Sequence, residues 1–203
     1  MRRGIAIAAG FGTAVSLAAA PRAARADEVL FGLFAHDVSS GLSGRSHEND
    51  TYDVQFDYRT RRFDNLWFVL KPILYGKAQV SLQDRTDFFT VGALTRKHFF
   101  KGRFYIGIGL GLTLQDGYRH YPSLTQPGLT VDEIAERQDV RSTRKALGSD
   151  LLFNPNLIFG LTLDRRWAVE LAYDHYSNAG IFSDRNPGLD NFGVRAVYKF
   201  GPR

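Results

Sequence analysis

Hydrophobic and polar residues alternate with a period of two along most of this 203-residue chain. Within residues 52–58, the apolar positions are the even-numbered ones and the polar positions are the odd-numbered ones. The same alternation recurs at 105–114, 151–161, 167–174 and 191–200. Because successive side chains of a β-strand point to opposite faces, this pattern predicts strands with one apolar face. The chain is therefore predicted to be all-β.

The period and its interruptions predict eight strands, at residues 29–38, 50–60, 64–76, 86–97, 103–115, 150–162, 166–177 and 190–200. Many of them have about ten residues or more, which is long for a soluble protein and suits a tilted strand that crosses a membrane. Aromatic residues at the strand ends favour the same interpretation. A soluble periplasmic sandwich or a lipocalin-like barrel is the alternative.

The predicted connections fall into two groups. Short ones follow the second, fourth and sixth strands, and longer ones follow the odd-numbered strands, at 39–49, 77–85, 116–149 and 178–189. Outer-membrane barrels have short turns inside and long loops outside. We therefore expect an eight-stranded antiparallel transmembrane β-barrel of the outer membrane, with its interior filled by side chains. Pro72 and Pro155 fall inside predicted strands, where a proline removes a backbone donor, and we expect bulges or kinks there.

The first 26 residues have the features of an export signal. Met1–Arg3 is basic, residues 4–20 are apolar, and Ala24–Ala26 forms a small-residue cleavage site. We expect a signal peptide at 1–26, cleaved after Ala26, and a single barrel domain at 27–203 in the bacterial outer membrane. A retained membrane anchor is the alternative.

The charge of the chain resides largely in that signal. It carries four arginines and no acid, so its removal lowers the formal net charge from +5 to +1. The basic character therefore does not indicate a nucleic-acid partner. The chain has no cysteine, which excludes disulfides and thiolate metal sites. The histidines show no metal-ligand spacing, so we predict no metal and no cofactor.

The residues with candidate chemistry lie near the C-terminus. His175 and Ser177 are two residues apart, so on a strand both side chains lie on one face. A histidine beside a serine is the minimal arrangement for nucleophilic acyl transfer, with a carboxylate to orient the imidazole. Asp190 is the predicted acid, and Asp184 is the alternative. An ordinary polar strand end is the simpler interpretation of such a sequence.

Strand parity places this group on the outer surface of the barrel. His175 and Ser177 continue the outward odd-numbered set of the seventh strand, and Asp190 continues the outward even-numbered set of the eighth. Asp174 is expected to point into the barrel. Polar groups on a lipid-facing surface are costly, so an outward catalytic group suits an enzyme whose substrate is a lipid.

The segment resembles a known family. His-Tyr-Ser-Asn-Ala-Gly at 175–180 and Asn-Pro-Gly-Leu at 186–189 resemble the lipid A 3-O-deacylases, which are PagL-type outer-membrane acyl hydrolases. The resemblance implies a carboxylic ester hydrolase that removes the 3-O-acyl chain of lipid A. It implies His175 as base, Ser177 as nucleophile and the amides around Asn178 and Gly180 as the oxyanion hole. The family usually has glutamate where this chain has Asp190. A non-catalytic structural or adhesive barrel and an outer-membrane phospholipase remain alternatives.

The resemblance also implies the partner, which is lipid A or lipopolysaccharide in the outer leaflet. Residues 116–149 contain five cations that suit its phosphates, although balancing acids favour an ordinary solvated loop: Arg119, Arg137, Arg141, Arg144 and Lys145. Thr130–Glu133 has the sequence of a capping box and predicts a short helix in this loop. The sequence leaves open whether the barrel is a homodimer.

Overall fold

Residues 26–201 are described by a computed structural model, so the predicted signal peptide lies outside the described residues apart from Ala26. The described chain forms a closed antiparallel barrel in which each strand pairs with its neighbours in sequence and β1 pairs with β8. This confirms the predicted fold. The strands are β1 (Asp27–His36), β2 (Thr51–Arg59), β3 (Ile73–Ser81), β4 (Phe88–Phe99), β5 (Phe104–Gln115), β6 (Leu151–Thr162), β7 (Trp167–Tyr176) and β8 (Leu189–Phe200).

A helix lies in the longest loop, between β5 and β6. This helix, α1 (Val131–Thr143), begins with the predicted capping box: the Glu133 amide donates to Thr130 Oγ1 at 3.2 Å, and the Thr130 amide donates to Glu133 Oε2 at 2.8 Å. These two bonds satisfy amides at the helix start that have no partner within the helix. Within residues 26–201, no helix is long and apolar enough to cross a membrane.

The outer face of the barrel is apolar. The outward side chains of β2, β5, β7 and β8 are the ones that the alternation predicts, and large hydrophobic residues such as Phe56, Leu110 and Val194 are exposed there. A soluble monomer rarely exposes so continuous an apolar surface, whereas a transmembrane barrel presents one to lipid. The faces of the strands are therefore those of a membrane-spanning barrel.

The interior is filled by paired charges. Arg59 donates to both oxygens of Glu170 at 2.7 and 3.0 Å, and Arg195 forms an ion pair with the same carboxylate at 2.8 Å. Asp174 points inward, as predicted, and is paired with Lys77. Buried charges are tolerated where each has a partner of opposite sign, and these pairs neutralise one another in the lumen.

The predicted third strand is wrong. Residues 64–72 belong to the preceding connection, and the strand runs instead over Ile73–Ser81. The apolar residues that suggested a strand form a short 3-10 turn, Trp67–Val69, followed by Leu70 with a positive φ of 63°. Pro72 ends this connection and lies before the strand, so it removes no donor from the sheet. The lumen explains the shift, because Lys77 and Gln79 lie inside the barrel and give β3 a polar inner face.

The two ends of the barrel differ. The turn end carries the short connections 100–103 and 163–166, together with the start of β1 and the end of β8. The loop end carries 37–50, 116–150 and 177–188. The expected short and long connections are thus observed, except on either side of β3. The connection before β3, 60–72, is longer than the connection after it, 82–87, which reverses the expected order.

Candidate active site

His175 and Asp190 form a hydrogen-bonded pair at the loop end of the barrel. They lie directly opposite each other in the register of β7 and β8, and His175 Nδ1 is 2.5 Å from Asp190 Oδ1. The Asp190 side chain is fully buried, whereas the His175 side chain is 18 % exposed. The carboxylate therefore holds one ring nitrogen, and Nε2 has no hydrogen-bond partner among residues 26–201.

Two further side chains hold the Asp190 carboxylate. The hydroxyl of Tyr173 donates to Oδ1 at 2.7 Å, and the hydroxyl of Ser40 donates to Oδ2. Ser40 lies in the loop between β1 and β2, which also bonds to the backbone of Asp190 through the Val38 amide at 2.7 Å. This loop buries Asp190 although its parity is outward. Neither hydroxyl was predicted from the sequence. The spacing of two between Tyr173 and His175 was a signal for the first, whereas nothing local indicated Ser40.

Ser177 follows the last residue of β7 and lies on the same side of the chain as His175. Its backbone is fixed by a pair of hydrogen bonds with Phe153 of β6, at 2.7 and 3.1 Å. Its side chain is partly exposed, and its hydroxyl has no hydrogen-bond partner among residues 26–201. Among these residues, no hydrogen bond joins Ser177 to His175. Catalytic hydrogen bonds are often long or poorly aligned until substrate is bound.

The two amides predicted for the oxyanion hole have partners within the protein. The Asn178 amide donates to Asn186 Oδ1 at 2.9 Å, and the Gly180 amide donates to Asn178 Oδ1 at 2.8 Å. Ala179 and Gly180 have positive φ angles of 54° and 70°. These two residues form a tight turn that is closed by a hydrogen bond from the Ile181 amide. The assignment of Asn178 and Gly180 stays a prediction, and it requires these side-chain oxygens to give way to the substrate.

A proline interrupts the sheet beside the histidine. The pairing of Asn156 with Asp174 and of Phe153 with Ser177 places Pro155 opposite His175. Proline has no N–H to donate, so the His175 carbonyl accepts a bond from Asn154 Nδ2 at 3.1 Å instead. The predicted irregularity at Pro155 therefore lies at the candidate site, and a buried side chain replaces the missing backbone bond.

The space between the imidazole and the backbone at Gly188 is narrow. Gly188 has φ of +64°, and a Cβ placed there would lie 3.0 Å from His175 Cε1. The neighbouring Pro187 carbonyl accepts a hydrogen bond from the Gly44 amide, at 2.5 Å. A glycine is thus required at 188 both by the left-handed backbone and by the approach of the ring.

A buried polar cluster next to the His175–Asp190 pair holds the long loops in place. His36 lies between Asp53 Oδ2 at 2.7 Å and Glu48 Oε2 at 3.0 Å, and Lys145 Nζ contacts Asp37 Oδ1 at 2.6 Å. Burial raises the pKa of Glu48, but the bond to His36 and the backbone amides of Lys145 and Thr86 outweigh it and lower that pKa below its usual range. The cluster joins three loops to the barrel rim.

The arginines of the longest loop make most of their contacts within that loop. Arg137 and Arg141 donate to backbone carbonyls of residues 122 and 123, and Arg119 pairs with Asp150 at 3.3 Å. Lys145 is buried in the cluster described above. These contacts favour the solvated-loop interpretation over a phosphate-binding role. Asp184, the alternative triad acid, is exposed in the loop before β8, whereas Asp190 contacts the histidine.

Comparison with known proteins gives one family and a set of barrels. The sequence model described as "Lipid A 3-O-deacylase (PagL)" matches residues 50–199. The crystal structure of the outer membrane enzyme PagL is 14% identical with a TM-score of 0.54, covering 85% of this chain and 99% of that one. A de novo designed transmembrane β-barrel (9%, TM-score 0.49, 88% and 98%) and the outer membrane protein Ail of Yersinia pestis (11%, TM-score 0.46, 87% and 100%) are also similar. No curated protein matches the sequence.

Proposed function

Because this chain belongs to the lipid A 3-O-deacylase family, we propose that it is an outer-membrane hydrolase that removes the ester-linked 3-O-acyl chain of lipid A. Ser177 is the nucleophile, His175 the general base and Asp190 the third member of the triad. The observation that carries this proposal is the contact of 2.5 Å between His175 Nδ1 and Asp190 Oδ1 on the outward side of the barrel. A serine two residues from that histidine completes the set.

The chemistry is acyl transfer through a serine ester. As Ser177 Oγ attacks the ester carbonyl, His175 Nε2 takes the hydroxyl proton and then returns it to the leaving sugar oxygen. Water, activated by the same imidazole, attacks the acyl-enzyme and releases the fatty acid. Asp190 keeps the imidazole in the required tautomer and stabilises the imidazolium. Backbone amides of the turn after Ser177 are the proposed oxyanion donors.

The position of the site selects the class of substrate. The triad side chains belong to the outward parity of β7 and β8, where their neighbours are the apolar residues that face lipid. They lie at the loop end, which is the external end in outer-membrane barrels. An ester close to the headgroup of an outer-leaflet lipid therefore reaches Ser177 without leaving the membrane.

The test is mass spectrometry of lipid A from a bacterial host that expresses the full chain. Wild type should lower the lipid A mass by one 3-hydroxyacyl group, and Ser177→Ala should not, although it should insert and fold equally. Ser183→Ala, in the same loop, is the matched control and should be active. Unchanged lipid A with wild type, or lysophospholipid as the only product, would contradict the proposal.

A further inference from the structure

At the turn end, four neighbouring strands form an apolar groove on the outer surface of the barrel. The groove has a volume of about 610 Å³ and extends from β4 to β7. Its walls are outward side chains that face one another across the strands, with Phe104 opposite Leu161, Ile106 opposite Phe159, and Phe159 opposite Leu171. An open apolar channel in the lipid-facing surface has the shape and polarity to hold an acyl chain.

A second cavity adjoins the groove and has different chemistry. It measures about 480 Å³ and is lined by Lys101, Gly102 and Arg103 on one side and by residues 161–163 on the other. Leu161 lines both cavities, so they lie side by side at this residue. Lys101 and Arg103 are exposed, and neither side chain is paired with an acid among residues 26–201. Two unpaired cations thus line the cavity that adjoins the apolar groove.

The turn between β4 and β5 has left-handed backbone angles and places residues at both cavities. Phe100 and Lys101 have positive φ angles of 48° and 57°, and Gly102 follows with 88°. The left-handed region is unfavourable for most residues with a Cβ, but the tight turns of β-hairpins commonly use it. Here the turn places Phe100, 78% exposed, at the groove and Lys101 at the second cavity.

We propose that the two cavities together bind one anionic glycerophospholipid of the inner leaflet, with its phosphate at Lys101 and Arg103 and an acyl chain in the groove. The short turns of outer-membrane barrels face the periplasm, which places this end in the inner leaflet. Charge complementarity supports the anionic headgroup, since exposed cations are concentrated at this end: Arg61, Lys71, Lys97, Lys101, Arg103, Arg165 and Arg166. The nearby Asp164 carboxylate is engaged by the amides of Arg166 and Trp167.

This site is separate from the proposed active site, because Ser177 lies at the loop end. It can be tested on the mature barrel in a nonionic detergent by native mass spectrometry, with phosphatidylglycerol and phosphatidylcholine of identical acyl chains as probes. Wild type should retain phosphatidylglycerol preferentially. Lys101→Ala with Arg103→Ala should lower that affinity about 30-fold, whereas the matched pair Arg165→Ala with Arg166→Ala should change it little.

The groove is tested separately with a bulky residue on its wall. Val169→Trp should fill it and reduce retention of both lipids, whereas Val194→Trp, also outward-facing but on β8 away from the groove, should not. Heat-dependent gel mobility checks that each variant is folded. Equal retention of the two lipids by wild type would overturn the proposal. An equal loss of phosphatidylglycerol affinity in the Lys101/Arg103 and Arg165/Arg166 double variants would overturn it in favour of general surface charge.

Discussion

The imidazole of His175 and the carboxylate of Asp190 lie directly across from each other on β7 and β8, with 2.5 Å between Nδ1 and Oδ1. A direct cross-strand pair of this kind has its geometry set by the sheet itself. The chain between the two residues forms the loop that carries Ser177, so one hairpin supplies all three members of the proposed triad.

Substitution of Asp190 should affect catalysis more than folding. Asp190→Asn should lower deacylation strongly, on the order of 10⁴-fold by comparison with serine hydrolase triads, because an amide no longer stabilises the imidazolium or selects the tautomer. Asp190→Glu keeps the charge and should retain much more activity. Asp184→Asn is the control and should be close to wild type. The measurement is the rate of acyl release from purified lipid A; a crippled Asp184→Asn with an active Asp190→Asn would reassign the acid.

Tyr173 should act as a positioning residue for Asp190. Its hydroxyl donates to Oδ1 at 2.7 Å. Loss of such a hydrogen bond to a charged group should change the rate by roughly tenfold to hundredfold if the carboxylate moves as a result. Tyr173→Phe should therefore lower kcat by about tenfold while KM changes little. Tyr198→Phe, an outward tyrosine at the other end of β8, is the matched control. An unchanged kcat for Tyr173→Phe would show that the other donors suffice.

The interruption at Pro155 allows a rescue experiment. Asn154→Ala should leave the His175 carbonyl without a donor and cost about 1–3 kcal/mol of stability, along with activity. Adding Pro155→Ala to that variant supplies a backbone N–H at the position opposite His175, so the double variant should recover part of both. Urea unfolding in detergent and deacylation rates provide the two readouts. A double variant no better than Asn154→Ala would argue against the replacement of a backbone bond by the asparagine.

The sidedness of the barrel can be tested with single cysteines, since the chain has none. Gly128 in the longest loop and Gly102 in a short turn are matched positions: both have positive φ, at 84° and 88°, and a Cβ meets nothing within 4 Å at either. On intact cells, Gly128→Cys should react with an impermeant thiol reagent and Gly102→Cys should not. The reverse labelling would place the candidate site in the inner leaflet.

Asp87, in the connection between β3 and β4, should make stability depend on pH. Burial raises the pKa of its carboxyl from 3.8 to about 6, with Asp116 adding to the rise and the Ser81 amide opposing it. The folded state thus holds the proton more tightly than the unfolded state. The stability from this group is complete below about pH 4 and is lost as the pH rises towards 6.

Asp87→Asn removes that titration and should raise the urea midpoint relative to wild type at about pH 7, with the difference vanishing below about pH 4. The amide oxygen still accepts the Ser81 N–H, so the loop should keep its conformation. Asp50→Asn, in an exposed loop, is the control. A difference that is independent of pH would exclude Asp87 as the group responsible.

The faces of the strands were determined by the sequence alone, because a strand repeats every two residues and the neighbours of a side chain on its face are local in sequence. Parity therefore placed His175 and Ser177 on the outer side and Asp174 inside. The capping box of α1 was equally predictable, since it joins residues three apart. The resemblance of 175–189 to a known family needed no structure either.

The tertiary structure decided what depends on pairing between distant segments. The position of β3 follows from Lys77 meeting Asp174 in the lumen, almost a hundred residues later in the chain, and no local pattern reveals that contact. Ser40 reaches Asp190 from the first loop, and Asn154 replaces the donor that Pro155 lacks, only because the closed barrel fixes the register. Local periodicity sets which way a side chain points, but barrel closure sets which residue it meets.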